Sequence, residues 1–150
     1  MPTENLGFEI AETAHTMRRA FDRRAAKLGV TRAQWKVLFR VSKAPDLRQV
    51  ELADMLDIEP ITLCRIVDRL EEAGLVERKR DPSDRRAWRL ALTRQADPLV
   101  ESLKTLATEL GAEAFDGLDP SQIETLRGML ERIRHNLSRS TTTLPTRASA

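Results

Sequence analysis

The chain is poor in the residue types that most often carry enzyme chemistry. Its 150 residues include one cysteine, two histidines, six glycines and no tyrosine. Because Cys64 stands alone, no disulfide bond can form within the chain. Neither His15 nor His135 stands in a recognisable catalytic constellation, and the sequence has no glycine-rich phosphate loop and no metal-ligand spacing. We therefore expect no enzyme activity, no catalytic residue, no metal site and no cofactor.

Long hydrophobic runs are also missing. No apolar stretch approaches the roughly 20 residues that a bilayer-spanning helix needs. The first five residues include an acidic side chain, and the apolar core of a signal peptide does not follow them. These absences predict a cytoplasmic protein with no membrane partner. With 32% charged and 41% hydrophobic side chains, the 150 residues suit one helix-rich domain with a real core.

Positive charge is concentrated in one segment. The whole chain has a formal net charge of +2, whereas residues 78–94 contain seven basic and two acidic side chains. Residues 81–84 (Asp-Pro-Ser-Asp) are turn chemistry, because proline presets φ and aspartate bonds nearby backbone groups. Beyond this turn, alternate positions are apolar, the period of a half-buried strand: Trp88, Leu90 and Leu92. We predict a β-hairpin over residues 75–93 with a cationic tip, which suits a polyanion such as DNA.

Two short helices are predicted just before the hairpin. The first covers residues 48–56, and its apolar face is formed by Val50, Leu52, Ala53 and Leu56. The second begins at Pro60, where the missing N–H is no loss, and Gly74 ends it. Its apolar side chains share one face at helical spacing: Leu63, Ile66, Val67 and Leu70. Two short helices joined tightly form a helix-turn-helix, and with the basic hairpin they predict a winged helix.

Additional elements are expected on the amino-terminal side of this unit. Apolar periodicity predicts a first helix over residues 6–28. Thr31 and Gln34 form a capping box for a second helix, and Leu47 is predicted to be a remnant of a first strand. Together with the helices that follow the hairpin, this makes the fold class mainly α with a small β-hairpin wing.

Two helices are predicted after the hairpin. Thr93 is expected to cap the first of them, a long helix. Pro98 falls past the first turn of that helix, so we predict a kink there, or a restart capped by Asp97. Asp119 and Gln122 then make the amino-terminal cap of a last helix.

At this point the sequence resembles the MarR family of bacterial transcriptional regulators. The resemblance is carried by residues 52–78, by Asp81-Pro82-Ser83-Asp84-Arg85-Arg86 and by Leu90-Ala91-Leu92-Thr93. A helix-turn-helix pattern is a weak signal, but an acidic turn followed at this spacing by a Leu-x-Leu-Thr strand is a strong one. The resemblance implies a winged helix-turn-helix plus N- and C-terminal dimerisation helices.

The same resemblance implies a division of the chain. Residues 1–30 are expected to be the N-terminal helix of the dimerisation region, 31–93 the DNA-binding domain and 94–139 the C-terminal dimerisation helices. Residues 140–150, rich in Ser and Thr, are expected to be a disordered tail. The alternative for the terminal helices is packing on their own subunit. A homodimer would place two recognition helices about 34–36 Å apart on double-stranded DNA, which predicts an inverted-repeat operator.

DNA contacts are expected on the outward face of the second helix of the helix-turn-helix. The candidates there are Ile61, Thr62, Arg65 and Arg69. The two arginines can bond guanine or a phosphate, or they can be solvated side chains paired with Asp68 or Glu72. The two residues at the amino-terminal end could touch thymine methyl groups or only shape the turn. Glu59 stands where the family more often has a Ser or Thr cap.

The hairpin supplies the other expected contacts. By resemblance, Asp84 and Arg86 match the Asp-x-Arg of the family wing, where the arginine reaches the minor groove and the aspartate orients it. Arg85 is adjacent, and a narrow A·T-rich groove attracts arginine through its negative potential. The alternative is a solvated turn with an internal ion pair. The basic residues of the preceding strand are expected to hold phosphates, which position but do not specify: Arg78, Lys79 and Arg80.

A small-molecule effector is also implied by the resemblance, since the family binds small aromatic or phenolic anions near the dimer helices. The candidate pocket residues are His15, Arg18, Trp35 and Phe39, with core packing and solvated arginine as the alternative. Because the chain lacks tyrosine, its pocket must differ from tyrosine-lined versions. Redox-sensing members carry their cysteine in the first helix, so Cys64 is expected to be a half-buried packing residue.

The leading hypothesis is a dimeric, sequence-specific regulator, a repressor released from its operator by a small ligand. The alternative is a winged-helix protein-interaction module without specific DNA binding. The basic wing argues against that alternative, because an interaction module does not need a cationic tip.

Overall fold

The computed structural model describes residues 3–140. In this part of the chain six α-helices and three β-strands follow one another: α1 Leu6–Ala26, α2 Arg32–Lys43, β1 Leu47–Arg48, α3 Gln49–Met55, α4 Pro60–Glu72, β2 Val76–Arg80, β3 Trp88–Leu92, α5 Asp97–Ala114 and α6 Pro120–Ser140. The chain divides into two compact units between Gly111 and Ala112. The first unit contains every element from α1 to most of α5, and the second contains α6.

Local sequence signals set the helix ends in the first unit. The Thr31 hydroxyl accepts the Gln34 N–H at 3.2 Å, and the Gln34 side chain accepts the Thr31 N–H at 3.0 Å, which confirms the predicted capping box. Helix α4 begins at Pro60, as predicted. It stops just before Gly74, whose φ of +73° suits glycine because that conformation costs other residues free energy. Helix α1 ends at Ala26, two residues earlier than predicted.

The three strands form one antiparallel sheet in the order β1-β3-β2. Strands β2 and β3 are the predicted hairpin, with Val76 opposite Leu92. The short strand predicted at Leu47 is β1, which pairs with β3 opposite Leu90. Following α3 and α4, this sheet completes the predicted winged helix-turn-helix. Residues 75–93 are called the wing below.

The core of the first unit lies between α2, α4 and the inner face of the sheet and continues to α5. Its fully buried leucines are Leu38, Leu52, Leu63, Leu70, Leu90 and Leu103. Phe21 and Trp35 pack edge to face with their ring centroids 4.7 Å apart, and Phe39 lies beside both rings. The prediction that Val50 belongs to the apolar face of α3 is wrong, since Val50 is 62% exposed. Two residues before Leu52, it points to the other side of the helix.

The junction between the wing and α5 differs from the simplest prediction. Thr93 makes no side-chain cap; its hydroxyl donates instead to the Gly74 carbonyl oxygen at 2.5 Å. A 3₁₀ turn over Arg94–Ala96 follows, and α5 begins at Asp97. The predicted restart is therefore confirmed, but Asp97 is the first residue of α5, with helical φ and ψ, and not its cap. The restart places Pro98 in a first turn, where proline removes no helical hydrogen bond.

Helix α6 dominates the second unit. Asp119 and Gln122 exchange hydrogen bonds between side chain and backbone at 2.9 Å each, which confirms the predicted cap. The helix continues to Ser140, so the first residue of the predicted tail is helical, and residues 141–150 lie outside the described part of the chain. Over residues 3–140, no helix combines the length and apolarity that crossing a bilayer requires.

Candidate nucleic-acid interface

Helix α4 is buried on one side and open on the other. Leu63, Val67 and Leu70 are fully buried on the inner side. The outer side carries the four residues predicted to contact DNA, all exposed: Ile61, Thr62, Arg65 and Arg69. Within residues 3–140 neither arginine side chain makes an ion pair or hydrogen bond, so the alternative of pairing with Asp68 or Glu72 is not observed. Glu59 occupies the N-cap without a side-chain hydrogen bond, as expected for a poor capping residue.

The tip of the wing is a tight turn that leaves two arginines exposed. Asp84 accepts the backbone N–H of Arg86 at 3.0 Å, and the Ala87 N–H donates to the Asp84 carbonyl at 3.0 Å. The aspartate therefore acts on the backbone of Arg86 and not on its guanidinium group. In the described residues, the side chains of Arg85 and Arg86 have no acidic partner. The internal ion pair considered from the sequence is absent there.

Strands β2 and β3 brace this turn. Arg80 lies over the ring of Trp88 at 4.7 Å and donates from Nη1 to the Arg85 carbonyl at 2.7 Å. Of the strand residues predicted to hold phosphates, Lys79 is exposed, with its ammonium 3.3 Å from the Glu77 carboxylate. Arg80 supports the shape of the tip while remaining at the surface.

Arg78 corrects one expectation. Its side chain is only 12% exposed and is held by α4 and by α3, so it does not present its charge to a phosphate. It bonds Gln49 through Nε at 3.1 Å, Glu71 through Nη1 at 3.1 Å and Asp68 through Nη2 at 2.7 Å. Nη2 also donates to the Cys64 carbonyl at 3.2 Å. Because β2 packs against α4, Arg78 faces that helix and links the two elements.

Cys64 is half-buried beside this arginine, as predicted for a packing residue. Its sulfur lies 3.7 Å from Arg78 Nη2, within a weak hydrogen bond.

Asp81, which the sequence presented only as a turn residue, is buried directly after β2, where the turn at the tip of the wing begins. Its Oδ1 accepts the Ser83 hydroxyl at 2.7 Å and the Ser83 and Asp84 N–H groups at 2.8 and 3.2 Å. Its Oδ2 accepts Nε of Arg48 at 2.8 Å and Nε of Arg89 at 2.9 Å. Bonds from Ser83, and then from Arg89 and Arg48, hold the pKa of Asp81 far below its ordinary value, so the carboxylate is ionised. The pairing joins residues far apart in sequence, and no spacing signal reveals it.

A cavity of about 670 Å³ lies apart from the wing, within the first unit. Two of the four candidate pocket residues, Trp35 and Phe39, line it, whereas His15 and Arg18 are exposed on α1 and do not. Sequence reasoning missed its four cationic lining residues: Lys36, Arg40, Lys43 and Lys104. Three of them recur on one face of α2, a spacing that could have found them.

The position of Trp35 at this cavity is fixed by Asp22. The indole N–H donates to Asp22 Oδ1 at 2.9 Å, and Arg32 Nε donates to Oδ2 at 2.7 Å. Burial opposes ionisation of Asp22, but the bonds from Arg32 and Trp35 and the charge of Arg18 together lower its pKa.

Comparison with known proteins agrees with this geometry. The sequence model of the MarR family matches residues 30–88. A MarR transcriptional regulator from Methanosarcina mazei Go1 superposes with a TM-score of 0.81 at 27% identity, covering 91% of this chain and 98% of that chain.

Two further solved structures are similar over most of the chain. The transcriptional regulator PA3341 is 34% identical, with a TM-score of 0.80 and coverage of 89% of this chain and 98% of that one. A cysteine-to-serine mutant of MarR from E. coli, complexed with operator DNA, is 28% identical, with a TM-score of 0.76 and coverage of 88% and 95%. The protein therefore belongs to the MarR family and is a transcriptional regulator.

Proposed function

We propose that this regulator is a homodimeric repressor that binds an inverted-repeat operator in duplex DNA. The observation that carries the proposal is the pair of cationic surfaces on the winged helix. Arg65 and Arg69 are exposed without a partner in the described residues on α4, and Arg85 and Arg86 are likewise exposed at the tip of the wing. Such surfaces suit a polyanion, and duplex DNA offers a groove of the right size for each element.

The two surfaces would carry different parts of recognition. Helix α4 would enter the major groove, where arginine bonds guanine in two places and Ile61 or Thr62 can meet a thymine methyl group. The tip of the wing would lie at the minor groove, whose negative potential attracts Arg86 where A·T pairs narrow it. Lys79 would hold a phosphate. A related E. coli protein has been solved in complex with operator DNA, which supports operator binding as the proposed role.

The proposed homodimer rests on apolar side chains that each unit leaves exposed. On α1 these are Leu6, Phe8 and Ile10, with Phe8 79% exposed. On α6 they are Met129, Ile133 and Leu137, with Leu137 66% exposed. Exposed apolar rows on long helices favour burial against a second copy of the chain. Residues 1–30 and 94–139 would then form the dimerisation region, and residues 31–93 would bind DNA in the cytoplasm.

The proposed effector is a small aromatic anion bound in the cavity beside Trp35 and Phe39. The two rings offer apolar surface, and Lys36 and Arg40 bring positive charge to the cavity, as does Lys104, whose ammonium is paired with Glu101 at 2.9 Å. Asp57 is the acidic residue among those that line the cavity. An anion bound there would contact both α2, which packs in the winged helix, and α5. Binding would lower operator affinity if the anion favours a spacing of recognition helices that does not fit the operator.

The decisive experiment is the selection of bound duplexes from a random-sequence pool by the full-length protein. Footprinting then locates the protein on the selected duplexes. We expect an inverted repeat occupied by two chains. Sedimentation of the free protein should give a dimer, and Ile133→Asp should shift it to monomer. Recovery of no preferred sequence would favour the protein-interaction alternative. The effector site is tested by titrating the protein–DNA complex with aromatic carboxylic acids of the benzoate class. The acid should release wild-type protein from the duplex, and Lys36→Gln, which removes one positive charge from the cavity, should need a higher concentration.

A further inference from the structure

We propose that Arg48 and Arg89 together form a binding site for one phosphodiester group of the DNA backbone. In this site the buried carboxylate of Asp81 holds the two guanidinium groups side by side. The site rests on the proposed DNA binding and adds to it a contact outside α4 and the tip of the wing.

The sheet register brings the two arginines together on the outward face. Arg48 on β1 is the direct partner of Arg89 on β3. The neighbouring pair, Leu47 and Leu90, faces the core, with Leu90 fully buried. Because side chains alternate along a strand, the arginine pair lies on the opposite face. Lys79 on β2 is the partner of Arg89 on the other side, so three cations form a row across the three strands.

Asp81 holds the two guanidinium groups in place. Both Nε atoms donate to the same oxygen, Oδ2, at 2.8 and 2.9 Å, and the carboxylate side chain is fully inaccessible to solvent. Two guanidinium groups at such close quarters repel each other, and the buried negative charge between them offsets that repulsion. One carboxylate neutralises only one arginine, so the cluster of Arg48, Arg89 and Asp81 keeps a net charge of +1 when the exposed Glu51 beside it is left out of the count.

Each of the two guanidinium groups keeps N–H donors that Asp81 does not use. Arg48 Nη2 lies 3.5 Å from the Ser83 hydroxyl oxygen, and Arg89 Nη1 donates to the Asp46 carbonyl at 3.2 Å. Within residues 3–140, Arg48 Nη1 and Arg89 Nη2 make no hydrogen bond. The side chains are 33% and 34% exposed, so these groups can be reached from solvent. The Glu51 carboxylate, 4.0 Å from Arg48 Nε, is the other acidic neighbour.

A purely structural role does not explain why two arginines, and not one, bond the same Asp81 oxygen. One arginine on Oδ2 would satisfy the Asp81 charge and tie the loop to the sheet. The second arginine adds a positive charge that Asp81 does not neutralise, and the exposed Glu51 carboxylate, 4.0 Å from Arg48 Nε, offsets it only weakly, so a bound phosphate would neutralise it more fully. A phosphodiester has two non-bridging oxygens, which match two adjacent guanidinium groups. The row continues to Lys79, so the site is contiguous with a surface already proposed to meet the backbone.

The test is the salt dependence of DNA binding by the full-length protein. Arg48→Gln keeps the Asp81–Arg89 pair but reduces the cluster to zero net charge. Arg32→Gln is the matched control, because it also removes one charge from an arginine paired with an aspartate, Asp22, away from the sheet. Each variant binds a labelled mixed-sequence duplex between about 50 and 200 mM salt, and anisotropy gives the slope of log K against log salt.

We expect Arg48→Gln to reduce the magnitude of the slope by about 0.9 per bound chain, the value of one phosphate contact, and Arg32→Gln to leave it unchanged. The triple variant R48Q/D81N/R89Q, which removes the buried charge along with both partners, should show the same loss. A wild-type slope in Arg48→Gln, or an equal loss in Arg32→Gln, would overturn the site while leaving the proposed function standing. Absence of wild-type binding to any duplex would overturn both.

Discussion

Arg78 on strand β2 donates from Nη2 to the backbone carbonyl oxygen of Cys64 in the middle of α4, at 3.2 Å. The bond ties the first strand of the wing to the helix proposed to enter the major groove. Since the acceptor is a backbone atom, the link fixes the helix itself and not only a side chain on it. The two elements proposed to contact DNA are therefore held in one geometry.

Replacing Arg78 by methionine should destabilise the fold without removing a phosphate contact. The variant loses bonds to Asp68, Glu71 and Gln49 from a side chain that is 12% exposed. Hydrogen bonds to charged groups are worth about 1.5–3 kcal/mol each. Because Asp68 and Glu71 are about half exposed, solvent screens their pairs with Arg78, and we expect a total loss of about 2–4 kcal/mol. Urea unfolding measures the stability, and the salt slope of DNA binding should stay at the wild-type value.

The matched control is Lys79→Met at the neighbouring position, which should leave stability nearly unchanged and reduce the salt slope. Lys79 is 56% exposed, so its loss should change stability by less than about 0.5 kcal/mol. It should reduce the salt slope by about 0.9 per bound chain. A stable Arg78→Met protein with a reduced slope would mean that Arg78 holds phosphate after all.

The fold was predictable because its signals are local. The Thr31–Gln34 box, Pro60 at a helix start and Gly74 after a helix end each depend on residues within one turn. The hairpin followed from alternation around an Asp-Pro-Ser-Asp turn. The roles of individual arginines were not predictable in the same way. Whether Arg78 faces a phosphate or the Cys64 carbonyl depends on how β2 packs on α4, which no short-range pattern contains.

The pH dependence of stability should contain a contribution from Asp81. The folded-state pKa of Asp81 is lowered, so its stabilisation is complete at pH values above the unfolded-state pKa of about 4. The stabilisation is lost progressively as pH falls from the unfolded-state pKa towards the folded-state pKa. Asp81→Asn should be less stable than wild type at neutral pH, because Arg48 and Arg89 lose their shared charge partner.

The measurement is the urea midpoint of both proteins from neutral pH down into the acid range. The gap between them should be constant above the unfolded-state pKa and should narrow below it. Asp22 has a lowered pKa too, but it is present in both proteins and cancels in the comparison. A gap that stays constant into acid would contradict the shared-carboxylate arrangement.

Replacing Gly74 by alanine should destabilise the fold, mainly because of the backbone conformation at that position. Its φ is +73°, and an added Cβ would lie 2.6 Å from the side-chain oxygen of Gln95. Left-handed backbone costs a non-glycine residue about 1–2 kcal/mol, so Gly74→Ala should lose at least that much stability. Gly128→Ala, in α6 with nothing within 4 Å of the added Cβ, should instead gain about 0.5–1 kcal/mol. Equal effects of the two alanines in thermal or urea unfolding would show that the strain is absent.

For the cavity proposed to bind an effector, the sequence predicts the aromatic lining residues but not the cationic ones. Trp35 and Phe39 were identified, since aromatic residues at helical spacing stand out. His15 and Arg18 have suitable chemistry for binding an anion, but α1 leaves both exposed outside the cavity. Lys104 comes from α5, which only the tertiary packing of the first unit brings to α2. Charge on a distant element is the kind of information that spacing along one helix does not carry.

Arg65→Ala and Arg86→Ala should weaken operator binding in different ways. If Arg65 bonds a base in the major groove, its loss should cost about 1–3 kcal/mol and relax the preference at one base position. If Arg86 senses a narrow minor groove, its loss should reduce the preference for A·T pairs beside the core of the repeat.

Both side chains are exposed, so the free energy of unfolding should change little. Binding of each variant to operators substituted one pair at a time measures this, and uniform weakening across all sequences would assign both arginines to phosphates. An Arg86→Ala protein that binds its operator as tightly as wild type would remove the wing from recognition and leave α4 as its sole source.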